Sequence, residues 1–229
     1  MAVVREGVGT GGLEAPMRWA VELAWESFCA GSLGIGAVVT RHGEVLATGR
    51  NRLGETDPGD DVLAGSSLAH AELNALAKIR VGTPSDGLEL WTTLQPCLQC
   101  LGAIRLSPVR RVHVLAPDPL FRGVEGARHL TEFIGRDWPD ILELEVDEWS
   151  VLSLLLHTHV ALFWGIDVLG WCDALPSIAA LAGELIAGGD MIDLAGDGAP
   201  LDAATDLVWE RLGPCVLDVE RVAALQIRP

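Results

Sequence analysis

Apolar positions in the first part of the chain follow two different periods. In residues 15–30 (APMRWAVELAWESFCA) they recur at helical spacing and form one stripe, which is typical of an amphipathic helix. Residues 34–40 (GIGAVVT) and 44–51 (EVLATGRN) are instead short runs rich in β-branched side chains. The glycine-containing connection Arg41-His42-Gly43 suits a turn between them. This stretch therefore predicts a helix followed by a β-hairpin.

The rest of the first 147 residues continues the alternation of helices and strands. The pattern predicts, in order, an exposed turn-rich loop at 54–66, a helix at 67–80 with Ser67 as its N-cap, a strand at 88–94, a helix from Pro96 to about Leu106, a strand at 109–116, a helical stretch at 126–135 and a strand at 141–146. Helices that alternate with strands in this way cover the faces of a sheet. The predicted fold class is α/β, with a sheet sandwiched between helices.

Residues 148–229 have a different texture. They form successive apolar stretches separated by Gly, Pro and Asp, which predicts a mainly helical extension beyond a core domain at residues 1–147. The run 150–166 (SVLSLLLHTHVALFWGI) contains no Asp, Glu, Lys or Arg over 17 residues. A membrane-spanning helix needs about 20 apolar residues, and Ser, His and Thr interrupt this run. We therefore expect a buried or dimer-interface helix that packs on the core, and no membrane partner.

The charge of the chain narrows the choice of ligand. The 229 residues include 16 Lys and Arg against 32 Asp and Glu, a formal net charge of −16. Proteins that bind nucleic acid usually carry a basic surface that displaces counterions from phosphates. The arginine pairs, Arg50 with Arg52 and Arg110 with Arg111, form no such surface, and acidic residues follow the first pair at once. The expected partner is a small free molecule and not a nucleic acid.

Composition also bears on the folded state and on the compartment. Hydrophobic residues make up 49% of the chain and the mean hydropathy is +0.32, which predicts a folded protein with a substantial core. The first twelve residues lack the basic and apolar regions of a secretory signal. Five cysteines at irregular spacing argue against a disulfide framework. The expected location is the reducing cytoplasm.

Two short strings carry the chemistry, His70-Ala71-Glu72 and Pro96-Cys97-Leu98-Gln99-Cys100. One His and two Cys are an established ligand set for catalytic zinc, in which water takes the fourth position. Each string is expected at the start of its helix, where the positive end of the dipole lowers thiol pKa values and favours metal binding. Glu72 projects from another part of the turn that holds His70, so it is available to carry protons. The order H-x-E followed by P-C-x-x-C is the signature of zinc-dependent deaminases.

These strings resemble the cytidine/deoxycytidylate deaminase superfamily. The matching segments are 66–79 (SSLAHAELNALAKI) and 88–119 (LELWTTLQPCLQCLGAIRLSPVRRVHVLAPDP), and the likeness runs from about residue 15 to residue 123. The residues after the second cysteine are most similar to the branch that contains guanine deaminases, fungal-type cytosine deaminases and tRNA-adenosine deaminases. The resemblance implies a three-layer α/β/α core with a central mixed five-stranded sheet, one zinc ion per active site, and a homodimer.

The resemblance also implies roles for individual residues. His70, Cys97 and Cys100 correspond to the ligands of the Zn²⁺ cofactor, and Glu72 corresponds to the catalytic proton shuttle.

Two substrate contacts are implied as well. They are made by the side chain of Asn51 and by the backbone N–H of Ala71. Gln95 departs from the pattern, because many relatives carry Glu before the Pro-Cys pair, and this removes a charge next to the metal ligands.

The predicted reaction is hydrolytic deamination of a free nucleobase or nucleoside, either an amino-purine or an amino-pyrimidine. Zinc-activated hydroxide attacks the ring carbon, Glu72 carries the proton to the departing amine, and ammonia leaves. Two alternatives stay open: a tRNA adenosine deaminase, which acts on a flipped base and needs a basic rim, and a catalytically silent zinc scaffold that binds a partner. A redox CxxC would leave the His-Ala-Glu string unexplained.

Four polar residues have more than one interpretation. Asn51 and Asp118 each follow a predicted strand, where a side chain either contacts substrate or stabilises a turn. His157 and His159 are two residues apart on a predicted helix, so they face different directions. We interpret both histidines as core or interface residues.

Overall fold

A mixed five-stranded sheet forms the centre of the protein. The structure, a computed structural model, describes residues 12–166 and 170–225. The strands are β1 (Gly36–Arg41), β2 (Glu44–Arg50), β3 (Leu88–Leu94), β4 (Arg111–Ala116) and β5 (Asp140–Glu143), in the spatial order β2-β1-β3-β4-β5. β1 is antiparallel to β2 and β3, whereas β3, β4 and β5 are parallel. The predicted mixed sheet is confirmed.

Helices cover this sheet and form most of residues 148–166 and 170–225. The first part contains α1 (Ala15–Cys29), α2 (Ala71–Ala77), α3 (Leu98–Leu106) and α4 (Glu132–Gly135), with a 3₁₀ turn at Val124–His129. The second part contains α5 (Glu148–Phe163), α6 (Trp171–Ala174), α7 (Pro176–Gly188), α8 (Asp190–Gly196), α9 (Leu201–Leu212) and α10 (Val216–Ala223), with a 3₁₀ turn at Gly213–Cys215. The predicted helical C-terminal region is confirmed.

Two glycines show how closely helices approach the two faces of the sheet. A Cβ added to Gly36 would lie 2.1 Å from the carbonyl oxygen of Ala20 in α1, and one added to Gly49 would lie 2.3 Å from that of Ala71 in α2. Gly49 pairs with Ala37, the residue after Gly36, and neighbouring residues of a strand point to opposite faces. α1 and α5 therefore form one outer layer, and α2 and α3 form the other.

The run 150–166 lies largely in α5, the most buried helix of the second part. Leu154, Leu155 and Leu156 are fully buried. Asp147 caps the helix, because its side chain accepts hydrogen bonds from the backbone N–H groups of Trp149 (2.9 Å) and Ser150 (3.1 Å). The expected buried helix is confirmed. Within residues 12–166 and 170–225, no helix has both the length and the apolar character needed to cross a membrane.

Helix α2 begins later than predicted. The sequence favours Ser67 as the N-cap, but the helix starts at Ala71 and His70 occupies the N-cap position. The preceding residues are held in another conformation, because the carbonyl of Ala69 accepts a hydrogen bond (3.0 Å) from the backbone N–H of Arg52 after β2. This long-range contact outweighs the local helix propensity and places His70 at the helix terminus.

Helix α3 also begins later than predicted. Pro96 was expected in its first turn, but α3 starts at Leu98 and Cys97 is the N-cap. The sulfur of Cys97 accepts a hydrogen bond (3.5 Å) from the backbone N–H of Cys100, which satisfies one of the free donors at the helix start. Because both helices begin later than predicted, His70 is the N-cap of α2 and Cys97 is the N-cap of α3.

The C-terminal helices pack directly against the sheet and its covering helices. The Ser153 hydroxyl of α5 donates a hydrogen bond to the Thr93 carbonyl of β3 (2.7 Å), and the Trp25 indole of α1 donates one to the Ala199 carbonyl (2.8 Å). One continuous hydrophobic core contains residues from both parts of the chain. The boundary between residues 147 and 148 stays a prediction.

Candidate metal centre and cavity

The starts of α2 and α3 converge on one point. His70 Nδ1 lies 3.6 Å from Cys97 Sγ and 3.4 Å from Cys100 Sγ, and the three ligand atoms all lie within 4.8 Å of one another. Zinc with Zn–S distances of about 2.3 Å, Zn–N distances of about 2.0 Å and tetrahedral angles separates nitrogen from sulfur by about 3.5 Å. The donor atoms and their spacing therefore fit a zinc ion.

The two thiols of this cluster have opposite pKa shifts. The side-chain contact with Cys100, together with the hydrogen bond to His70, lowers the pKa of Cys97 to about 4 despite its burial. The contact with Cys97 and burial raise the pKa of Cys100 well above its usual value. A thiolate is the form of cysteine that binds metal, and the lowered pKa favours the thiolate form of Cys97.

Glu72 lies beside the cluster in the first turn of α2. Its side chain is buried, and its Oε2 accepts a hydrogen bond (3.4 Å) from Cys100 Sγ, while its Oε1 lies 3.5 Å from the Thr92 hydroxyl. Burial raises the pKa of the carboxyl group. The carboxylate is adjacent to the ligand atoms without being one of the three that converge.

A small cavity of about 80 Å³ opens next to these residues. Polar groups from several elements line it: Asn51, His70, Glu72, Gln95, Cys97, Asp118 and His157. Apolar walls come from Leu33, Ile35, Leu94 and Phe121. Apolar walls with several convergent polar groups are a common arrangement in ligand sites.

Asn51 makes the turn contact that the sequence left open, and its contact with substrate stays a prediction. Its Oδ1 accepts a hydrogen bond (3.0 Å) from the backbone N–H of Leu53, which is the contact of a turn-forming residue. Its Nδ2 is buried and has no hydrogen-bond partner among the described residues. The Ser27 hydroxyl fixes the backbone by donating to the Asn51 carbonyl (2.6 Å). The Asn51 side chain is therefore fixed in position, and its Nδ2 is a hydrogen-bond donor at the cavity without a partner among the described residues.

Ala71 is the first residue of α2, between His70 and Glu72, and it is fully buried. Backbone N–H groups in the first turn of a helix have no acceptor within the helix. This position agrees with the N–H contact that the sequence predicts for Ala71, and the contact itself stays a prediction.

Gln95 and Asp118 organise the loop after β4. The Gln95 amide donates to the Phe121 carbonyl (3.1 Å) and to Glu125 (2.8 Å), and its oxygen accepts from the Asp118 backbone N–H (3.2 Å). Asp118 lines the cavity and also caps a turn, since its Oδ1 accepts from the Leu120 N–H (2.7 Å). Burial raises the pKa of Asp118 to about 7. A neutral amide at position 95 is what allows donation to both Phe121 and Glu125.

The structure adds His157 of α5 to the cavity wall, a residue that the sequence assigned to the core or an interface. Its Nδ1 is buried without a hydrogen-bond partner among the described residues, and burial lowers its pKa to about 4. One signal was present in the sequence. Ser153 and His157 are four residues apart on a largely apolar helix, so they lie on the same face.

The arginines beside Asn51 are occupied by ion pairs. Arg50 Nη1 lies 2.5 Å from Glu55 Oε1, and Arg52 contacts both Glu55 (2.8 Å) and Asp61 (2.7 Å). Arg122, on the other side of the cavity, pairs with Glu143. Their charge is thus compensated within the protein.

A His-Cys-Cys cluster at two helix starts on one face of an α/β/α sandwich defines a zinc-binding domain. Comparison with known proteins identifies the family. Residues 12–116 match the sequence profile described as the cytidine and deoxycytidylate deaminase zinc-binding region. The chain belongs to this family, as the sequence predicted, and the zinc cofactor predicted with it is confirmed at the level of the family.

Several relatives share this segment. A tRNA-specific adenosine deaminase of Aquifex aeolicus is 32% identical over 117 residues, which cover 49% of this chain and 72% of the relative. A guanine deaminase of Bacillus subtilis is 34% identical over 95 residues, or 40% of this chain and 56% of the relative. A solved structure from a study of A-to-I editing by tRNA:A34 deaminases has a TM-score of 0.47 and 28% identity, covering 56% of this chain and 96% of that one.

Proposed function

We propose that this protein is a zinc-dependent hydrolytic deaminase of a free nucleobase or nucleoside. The observation that carries the proposal is the buried Glu72 carboxylate, with its Oε2 3.4 Å from Cys100 Sγ at the wall of a small cavity. His70, Cys97 and Cys100 hold the zinc, which when bound lowers the pKa of water toward neutrality. Membership of the deaminase family supports the reaction class.

Glu72 moves the protons in this proposal. It accepts a proton from water as the oxygen adds to the ring carbon and passes it to the adjacent ring nitrogen, and it then carries the second proton of that oxygen to the amine as the carbon–nitrogen bond breaks. The products are the ring with a carbonyl in place of the amino group, and ammonia. The surrounding apolar walls exclude other water, which strengthens each polar contact to the ring.

Asn51 and Ala71 position the ring. Asn51 Nδ2 is a buried donor without a partner among the described residues, so a carbonyl or ring nitrogen of the substrate satisfies it. The Ala71 N–H at the start of α2 contacts a second polar atom of the ring. Two such contacts on a flat heterocycle fix the amino-bearing carbon in place.

The charge around the cavity supports a free substrate. The guanidinium groups of Arg50, Arg52 and Arg122 are all engaged with carboxylates, and the net charge is −16. A phosphate backbone requires uncompensated basic groups near the site. The cavity of about 80 Å³ limits the reacting group to a single ring system.

The test is ammonia release by the purified zinc-loaded chain. The panel contains guanine, adenine, cytosine and their ribonucleosides. We expect turnover of at least one of these compounds and loss of turnover after zinc is removed by a chelator. If none of them releases ammonia, the proposed function is wrong.

The second candidate is deamination of adenosine in a tRNA. It is favoured by the tRNA-specific adenosine deaminases among the relatives. Measuring the binding of an anticodon stem-loop RNA at several salt concentrations tests it, because affinity through phosphates falls steeply with salt. Tight, salt-sensitive binding together with inosine formation would favour this candidate over the first.

We also propose a homodimer located in the cytoplasm. The exposed apolar side chains of Leu68, Val81 and Leu106 line one depression formed with α2 and α3, and exposed apolar surface of this kind marks interfaces. A sedimentation measurement that gives twice the chain mass supports the dimer, whereas the mass of one chain opposes it. All five cysteines are free thiols, which supports a reducing compartment such as the cytoplasm.

A further inference from the structure

We infer that His157, supplied by α5 of the C-terminal helices, is a substrate-binding residue that determines which ring the cavity accepts. This inference rests on the proposed deaminase function. The residue lies outside the segment 12–116 that matches the family profile. It therefore belongs to the part of the chain that distinguishes this protein from the shared zinc-binding region.

The register of α5 places His157 at the cavity. The Ser153 hydroxyl donates a hydrogen bond (2.7 Å) to the carbonyl of Thr93, near the end of β3. Residues four apart lie on the same face of a helix, so His157 follows one turn later on the face that contacts β3. β3 leads through Leu94 and Gln95 to Cys97, and all three of these residues line the same cavity as His157.

The imidazole ring of His157 is held in place. It packs against the Trp171 indole with ring centroids 4.4 Å apart, and that indole donates a hydrogen bond (2.9 Å) to the Thr158 hydroxyl. Its Nδ1 is buried and has no partner among residues 12–166 and 170–225. Buried polar atoms normally have a hydrogen-bond partner, so a rigid ring with an unmet nitrogen beside a ligand cavity indicates that the ligand supplies one.

Asn51 and His157 lie in different regions of the chain and line the same cavity. Asn51 follows β2, His157 lies on α5, and each contributes one buried, unpartnered nitrogen at the same cavity. Burial keeps the imidazole neutral at neutral pH, since its pKa is lowered to about 4. A neutral imidazole has one donor and one acceptor nitrogen, which suits the edge of an uncharged heterocycle rather than a phosphate.

His159 provides a control on the same helix. It is buried, its Nε2 also lacks a partner among the described residues, and its ring packs edge-on against Phe28 at 5.0 Å. It lines a separate apolar pocket of about 230 Å³ between α1, α5 and α8. A substitution there removes a buried histidine without touching the metal-site cavity.

The experiment compares His157→Leu with His159→Leu. Binding of guanine, adenine, cytosine and their ribonucleosides is measured by calorimetry in a zinc-loaded Glu72→Gln background, where substrate is not consumed. We expect His157→Leu to weaken binding of the preferred ring by about 10- to 100-fold, because a buried hydrogen bond is lost, and His159→Leu to change it less than about 3-fold. In the active chain, which keeps Glu72, His157→Leu should raise KM by the same factor with a smaller change in kcat, and His157→Asn should restore part of the loss.

The outcomes separate this inference from the function on which it rests. If the chain deaminates a free ring while His157→Leu binds that ring like the parent, the inference is wrong and the function stands. Equal losses in His157→Leu and His159→Leu, with lower thermal stability in both, also overturn it, because they indicate a packing role. If no compound in the panel binds or releases ammonia, the function and the inference both fail.

Discussion

The two parts of this chain contribute to the cavity in different ways. Residues 12–116 match the family profile and bring His70, Glu72, Cys97 and Cys100 together through two short helix starts. Residues 148–166 and 170–225 are mostly helical, and α5 places one imidazole in the same cavity. Local motifs supply the reactive groups, whereas long-range packing supplies a wall of the site. Variants in the two regions test this division.

The largest effect is expected from removing a metal ligand. Cys97→Ala should reduce bound zinc from about one ion per chain to near none, with activity lost, because a thiolate at the N-cap of α3 is one of three ligands. Metal content measured by mass spectrometry checks this. Cys29→Ala, which changes a partly buried thiol outside the cluster, is the control and should retain zinc. Stoichiometric zinc in Cys97→Ala would contradict the assigned ligand set.

The next effect concerns proton transfer. Glu72→Gln preserves the shape of a buried side chain but cannot carry a proton, so kcat should fall by about 10²- to 10⁴-fold with zinc retained. Glu22→Gln, at an exposed position of α1, should leave kcat unchanged. Activity within a few fold of the parent in Glu72→Gln would remove this carboxylate from the mechanism.

Parts of this site were predictable from the sequence because their causes are local. The spacing of His70, Cys97 and Cys100 and their proximity to helix starts follow from residues next to them in the chain. The start of α2 was not predictable, since it depends on a hydrogen bond from Arg52, 17 positions before Ala69. The spacing of Ser153 and His157 shows that the two side chains share a helix face, but the register of α5 against β3 that brings His157 to the cavity depends on the long-range contact of Ser153 with Thr93. The sequence therefore predicts the reactive groups better than the walls around them.

A third prediction asks whether the C-terminal helices are part of one folded unit. Leu155→Ala should lower the free energy of unfolding by about 2–5 kcal/mol, because the leucine is fully buried in the continuous core. Leu217→Ala, at a mostly exposed position of α10, should change it by less than about 0.5 kcal/mol. Urea denaturation checks both. Equal, small effects would mean that α5 does not contribute to the stability of the core.

A fourth prediction uses acid sensitivity. Burial lowers the pKa of His159 to about 4, whereas the unfolded chain has an ordinary histidine value of about 6.5. Between these values the unfolded state binds more protons, so stability falls as the pH drops from about 6.5 toward about 4, by at most about 1.4 kcal/mol per pH unit. His159→Leu should show a shallower decline in unfolding free energy over that range. Parallel declines in the two proteins would show that His159 is not neutral in the folded state.

The central claim is that this protein deaminates a free nucleobase or nucleoside in a cavity lined by residues of the family segment 12–116 and of α5. The most direct measurement is the ratio of kcat/KM for the best free base or nucleoside to kcat/KM for an anticodon stem-loop RNA, both determined with the full zinc-loaded chain. We predict a free substrate with kcat/KM of at least about 10⁴ M⁻¹ s⁻¹, well above the value for the RNA. Ammonia release from the RNA alone would contradict the claim.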